Sequence, residues 1–305
     1  MLFLVRSCFY LVVCLSIIVS YQAQSATTEN VSRTKITWLI EDTFAWRNYL
    51  EETSISTEQD TSKMVMKGLQ ELGYNLKFVR ATGDRANKIL QEDANACMSN
   101  RIKNPSREKY LLFSLPHDLY LGLKIYQLAT TAPLPKSLLN EQGEVKSLAA
   151  LFSHYPDKIL ATGSGVSYGE EIDNQIAALN PENVFVRGGS SRIVSIINML
   201  FKKRIDFIIY YPLDMIELAK GGPKLESYTI AGSPPYHLGH VSCAKSAQGE
   251  KVIADIDNIL EKAYLTQAFY HAHEKWLIED DVPTLRKYFY QIFNYLPDSI
   301  YESSQ

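Results

Sequence analysis

Residues 103–117 read KNPSREKYLLFSLPH. A polar turn carrying Pro105 and Arg107 runs straight into the apolar, strand-like segment Tyr110, Leu111, Leu112, Phe113 and Ser114. An arginine placed there can be a solvated turn residue, a pair for the adjacent Glu108, or a grip on an anion. The third reading has chemistry behind it, because guanidinium presents a planar fork of five donors that matches a carboxylate. Working towards the N-terminus, residues 94–99 predict a strand, 83–91 a short helix and 74–79 another strand. Residues 57–72 predict a helix, with Met64, Leu69 and Leu72 at helical spacing and Gly73 as its stop. KITWLI at 35–40 supplies a first strand. Strands that alternate with helices in this way form a parallel sheet with crossover helices.

Towards the C-terminus, residues 120–128 (YLGLKIYQL) predict one long extended run, and the proline-bearing stretch 131–136 predicts a boundary. A second alternating unit follows, with helices at 147–152, 169–179, 191–201 and 213–219. Its strands fall at 158–161, 183–186, 205–210 and 228–230. Gly232, Ser233, Pro234 and Pro235 mark a second boundary. The chain then offers a strand at 240–244 and a long amphipathic helix at 246–264, with Val252, Ile256, Ile259 and Leu260 on one face. Further helix is predicted through Trp276 and again at 284–293. One strand with helices is too little to close its own core, so this segment is expected to return to the first unit. The expected fold class is α/β with two lobes, each a mainly parallel sheet flanked by helices, the second inserted in the first. Residues 26–128 and 235–305 make lobe 1, and 129–234 make lobe 2. Small ligands bind in the cleft that such lobes enclose.

Several side chains are expected at that cleft. Gly165, Val166, Ser167, Tyr168 and Gly169 fit the G-x-S-x-G pattern of a nucleophile elbow between a strand and a helix. Asp206 or Asp214, followed by His237, His240, His271 or His273, would complete a triad on chain order alone. The serine comes after only one strand of its lobe, however, and no oxyanion-type glycine loop precedes it. The alternative is a polar cradle: backbone N–H groups at a helix start, with Ser164, Ser167 and Tyr168 beside them, can hold an anionic group. Ser190 and Arg192 lie in a similar loop, where Ser190 reads as a helix N-cap and Arg192 is left open between pairing and ligand contact. Phe44 and Trp46 follow the first strand, and Tyr210 and Tyr211 follow the strand at 205–210. Loops past the carboxyl ends of parallel strands face the ligand crevice. No metal or other cofactor is expected, because His237/His240 and His271/His273 lack a matching acidic or cysteine ligand at metal spacing.

Composition narrows the class. The chain has 305 residues and a formal net charge of −3, without the basic surplus of a nucleic-acid binder. Residues 1–25 combine a lone Arg6, an apolar core at 8–19, and Ala23, Gln24 and Ser25 ahead of Ala26. That is the layout of a secretory signal peptide, with an uncleaved membrane anchor as its rival. Cys8 and Cys14 leave with such a signal, so Cys97 and Cys243 remain, either paired or as two buried thiols.

The run PSREKYLLFSLP at 105–116 resembles the T-x-x-R-x-x-x-x-x-F-S-x-P-Y signature of amino-acid-type periplasmic solute-binding proteins, with Arg107, Phe113, Ser114 and Pro116 on matching positions. Lys203, Arg204, Ile205, Asp206 and Phe207 resemble that family's Gly-Arg-x-Asp-Ala step, and Lys275 with Trp276 its closing Lys-Trp pair. The similarity spans residues 35–276 and points to an uncharacterised, divergent branch. It implies the type II periplasmic-binding fold, a non-enzymatic monomer in the periplasm, and partners that are a small-molecule ligand and a membrane permease or sensor receptor. It also implies that Arg107 grips a ligand carboxylate and that Cys97 and Cys243 lie on neighbouring strands. Tyr211 stands near the family's ammonium-binding aspartate, and Gly163, Ser164 and Gly165 replace a Gly-Ser-Thr loop. Both departures favour a carboxylate or polar compound other than a free α-amino acid. An enzyme on the same scaffold, dehydratase-like or a hydrolase using Ser167, is the alternative. The segment beyond Trp276 exceeds the usual end of the family.

Overall fold

The structure is a computed structural model, which describes residues 34–41, 53–54, 56–189 and 191–297. The expected signal peptide, Phe44, Trp46 and Ser190 lie outside the described residues. No described helix is long and apolar enough to cross a membrane.

Strand β1 (Lys35–Ile40) pairs in parallel with β2 (Asn75–Arg80) and β3 (Ala96–Ile102), as the alternation of strand and helix predicts. The helices between them are α1 (Thr57–Glu71) and α2 (Gly83–Glu92). Helix α1 starts where Ser56 accepts a hydrogen bond from the Gln59 amide at 3.3 Å, a side-chain N-cap. Strand β10 (Tyr236–Ala244) returns from the end of the second lobe and fits antiparallel between β3 and β4 (Leu111–Leu121), completing the order β2-β1-β3-β10-β4. The alternation of β1 drives this layering: Ile36, Trp38 and Ile40 enter one core cluster, and Leu39 enters the cluster on the opposite face. Helix α8 (Ala247–Tyr264) covers the first face through Val252, Ile256 and Leu260, and the tail helices α9 (Gln267–Glu274) and α10 (Val282–Phe293) add Phe269, Phe289 and Phe293. The segment beyond Trp276 therefore packs on lobe 1.

The second sheet runs β7 (Val184–Arg187), β6 (Leu160–Gly163), β8 (Phe207–Tyr210), β5 (Lys124–Leu128) and β9 (Leu225–Thr229). Its faces alternate in the same way, with Ile125, Leu160, Phe207 and Ile209 on one side and Tyr126, Ala161 and Ile208 on the other. Helices α4 (Leu148–His154), α5 (Glu170–Ala177), α6 (Arg192–Phe201) and α7 (Pro212–Leu218) flank it.

One expectation is corrected. Residues 120–128 are not a single strand, and the change of lobe does not wait until Leu128. Strand β4 ends at Leu121, and Lys124 already pairs with Tyr210 and Thr229 in the second sheet. The outgoing chain meets the returning chain at this point: the Gly122 amide donates to Pro235 O at 2.9 Å. A Cβ on residue 122 would lie 2.8 Å from Pro234 O, so the crossing requires glycine.

Cys97 and Cys243 are directly opposite in the β3–β10 register and form a buried disulfide, with Cα atoms 4.1 Å apart.

Candidate functional site: a cleft between two lobes

Arg107 is placed by local sequence. Asn104 caps a one-turn helix, α3 (Pro105–Glu108), accepting from the Arg107 amide at 2.9 Å, and Pro105 takes a first-turn position that needs no amide. The turn delivers the guanidinium into the gap between the lobes, where it is 7% exposed. Its Nη1 donates to Ile102 O at 2.9 Å in its own lobe, and its Nη2 to Gly165 O at 3.1 Å in the other.

A cavity of about 710 Å³ occupies this gap. Arg101, Arg107, Ser167, Tyr168, Arg192, Tyr210 and Tyr211 line it, together with Glu41, Glu58, Asn100 and Asp214. Glu41 accepts from the Gly83 amide at 3.0 Å and binds Nη1 of Arg192 across the lobes. Burial alone would push the Glu41 carboxyl up. The Arg192 bond and charge, the Gly83 amide and the Arg101 charge together hold it below its usual range. Arg101 is 4% exposed; its Nη2 donates to Asn87 Oδ1 at 2.5 Å, and its Nε has no hydrogen-bond partner among the described residues. Burial, with Arg107 beside it, lowers this guanidinium to about 10. Elsewhere in the wall, Glu58 accepts from Ser99 at 2.9 Å, and burial with the Glu58 charge raises Asp214 to about 7.

The glycine loop after β6 meets the first lobe directly. The Ser164 hydroxyl donates to Asp84 at 2.6 Å, and Asn104 Nδ2 donates to Ser167 Oγ at 3.3 Å. Ser167 in turn donates to Asp173 at 2.5 Å, and the other Asp173 oxygen accepts from the Tyr168 amide at 2.7 Å. Tyr120 and Tyr211 stack across the lobes with centroids 4.7 Å apart.

No protein-family model matches the chain, and no curated protein sequence matches it. Solved structures do. An ancestral arginine-binding protein bound to arginine superposes with a TM-score of 0.59 at 15% identity, covering 81% of this chain and 99% of its own. A putative L-cystine ABC transporter protein from Listeria monocytogenes gives 0.58 at 18% identity, covering 81% and 97%. An ancestral amino acid-binding protein, a precursor of cyclohexadienyl dehydratase, gives 0.56 at 17% identity, covering 81% and 96%. The fold is that of a two-lobe solute-binding protein.

Within this solute-binding fold, the sequence-predicted residues Arg107, Ser164, Ser167, Tyr168, Arg192, Tyr210 and Tyr211 gather at one interlobe region. Their immediate partners are protein groups: Arg107 holds two carbonyls, Arg192 holds Glu41, and the Tyr168 hydroxyl accepts from the Gly163 amide at 3.2 Å. Ser164 is not among the cavity-lining residues. The hydroxyl of Ser167 is given to Asp173, and among the described residues no histidine is hydrogen-bonded to it, although the His237 ring lies against Gly169 of the same loop. Of the histidines proposed for a triad, His240 pairs with Ser114 O and His273 with Phe269 O. No metal-ligand cluster occurs among the described residues. Sequence reasoning missed Arg101 and Glu58, and it named Asp214 only as a triad acid and Trp276 only as half of the closing Lys-Trp pair. Glu41 had one available signal, its place at the carboxyl end of a parallel strand.

Proposed function

We propose that the protein captures a small carboxylate-bearing solute between its lobes and passes it to a membrane permease or reports it to a sensor receptor, outside the cytoplasm. The observation that carries this reading is a cluster of three largely buried guanidiniums in the cavity wall. Arg101, Arg107 and Arg192 converge there; Glu41 is bonded to Arg192, Asp173 and Glu41 both act on Arg107, and burial favours the protonated form of Asp214 in the same wall. Buried guanidiniums need counter-charge, and a ligand carboxylate would supply it to Arg101 and Arg107. A role in binding rather than hydrolysis also accords with Ser167, whose hydroxyl serves the loop that joins the lobes.

Thermal-shift screening against amino acids, dicarboxylates, peptides and sugars tests the class, since a ligand for the native state raises the melting temperature. Stabilisation by carboxylates is expected; stabilisation by neutral sugars alone would sink the reading. For a carboxylate hit, Arg107→Ala is expected to cost about a hundredfold in affinity, and Arg107→Lys to recover it only in part. An unchanged Kd in Arg107→Ala removes this residue from the site.

A further inference from the structure

The tail of the chain forms part of the cavity wall. After α9, Trp276 and Ile278 line the same cavity as Arg107. Trp276 is fixed there: its Nε1 donates to Asp60 at 2.7 Å, and Lys275 binds the same carboxylate at 2.8 Å while lying 4.8 Å over the indole ring. Beyond it, Leu277, Asp281 and Leu285 meet Tyr211, Pro212 and Leu213 of the second lobe around a small adjoining void. A segment rooted in the core of lobe 1 thus faces lobe 2 across a small void beside the cleft.

This part of the wall is apolar and open. Ile278 from the tail, Val194 from α6 and Ile216 from α7 line the cavity yet are 46%, 42% and 49% exposed. Single exposed apolar side chains need no explanation, but three from three separate elements at one cavity do. Ile193, Leu213 and Leu218 extend the same surface. An apolar occupant would cover all three exposed side chains, and the cavity of about 710 Å³ has room for more than a polar head group.

We propose that the ligand is amphipathic, a carboxylate head with an unbranched or aromatic apolar body, and that Trp276 and Ile278 of the C-terminal segment select the body. The head lies towards Arg101 and Arg107, and the body covers Ile278, Val194 and Ile216. This rests on the carboxylate reading of the cleft and adds the specificity. It assigns the segment past Trp276 a role in ligand choice as well as in the lobe 1 core.

The test uses the full chain and two matched probe series, measured by calorimetry. One series runs from acetate through hexanoate to decanoate; the other runs from alanine through norleucine to 2-aminodecanoate. The two arms show whether the head is a plain carboxylate or carries an amine. In at least one arm, affinity is expected to rise about fourfold per added methylene, the usual gain for burying a CH₂. Trp276→Ala is expected to flatten that rise. Ile278→Ser, at a half-exposed position, is expected to weaken the eight-carbon members about tenfold. If short members bind with no gain along the series, the amphipathic ligand is overturned while the carboxylate cleft stands. If the rise persists in full in both variants, the role of the tail is overturned. If no member of either series binds, the amphipathic ligand is overturned, and the thermal-shift screen separately decides the carboxylate reading.

Discussion

Asp214 and the buried histidines set opposite pH dependences in one molecule. The folded-state value of Asp214 is about 7, against an ordinary aspartate near 4, so the folded protein holds its proton more tightly than the unfolded chain. Its contribution is complete below pH 4 and is lost as pH rises through about 7. His117, His237 and His273 are lowered by burial to about 3, 4 and 4, so they are neutral in the fold. The stability they permit is full above pH 6.5 and is lost as pH falls towards 4. Asp214→Asn is therefore expected to stabilise the free protein by on the order of 2 kcal/mol at pH 8 and hardly at all at pH 4.5, read from urea midpoints at the two values. Equal effects at both would show that Asp214 ionises normally. At this scale the sequence was partly legible. Asn104 and Pro105 place Arg107 by a local cap, and local chemistry is visible in a single chain. The burial of Arg101 and Asp214 was not legible, because it arises only when distant walls meet.

Elements were read well wherever hydrophobic period decided them, as in β1, α1, α8 and the parallel strands of both sheets. Strands β4 and β5 were merged because the period-two pattern of residues 120–128 runs unbroken through Gly122. What divides them is a contact with Pro235 more than a hundred residues later in the chain, which no window can contain. The β3–β10 pairing is likewise non-local, and the disulfide locks it. Cys97 and Cys243 are separated by 146 residues, so their bond removes much freedom from the unfolded chain. Replacing both with serine is expected to lower stability by about 3–5 kcal/mol in denaturant melts. Mass spectrometry of the native protein before and after reduction provides the direct check, and two free thiols before reduction would refute the bond.

Across the whole molecule, the lobes are held by contacts that span the cleft: Arg192 with Glu41, Ser164 with Asp84, Arg107 with Gly165, and the Tyr120–Tyr211 stack. The Arg192–Glu41 pair is largely buried, so removing its negative partner strands a guanidinium. Glu41→Gln is expected to weaken lobe contact by about 1–3 kcal/mol, shifting the free protein towards an open arrangement with a larger radius of gyration in small-angle scattering. An unchanged scattering profile would show that this pair does not hold the lobes together. By itself the sequence determined two alternating α/β units, the return of the last strand to the first lobe, and the capped turn that carries Arg107, because period, caps and turns act over a few residues. The tertiary structure decided where the chain changes lobe, which charges face one another across the gap, and that the C-terminal segment walls the cavity. Those outcomes depend on surfaces far apart in sequence excluding water together, and only the folded chain brings them into contact.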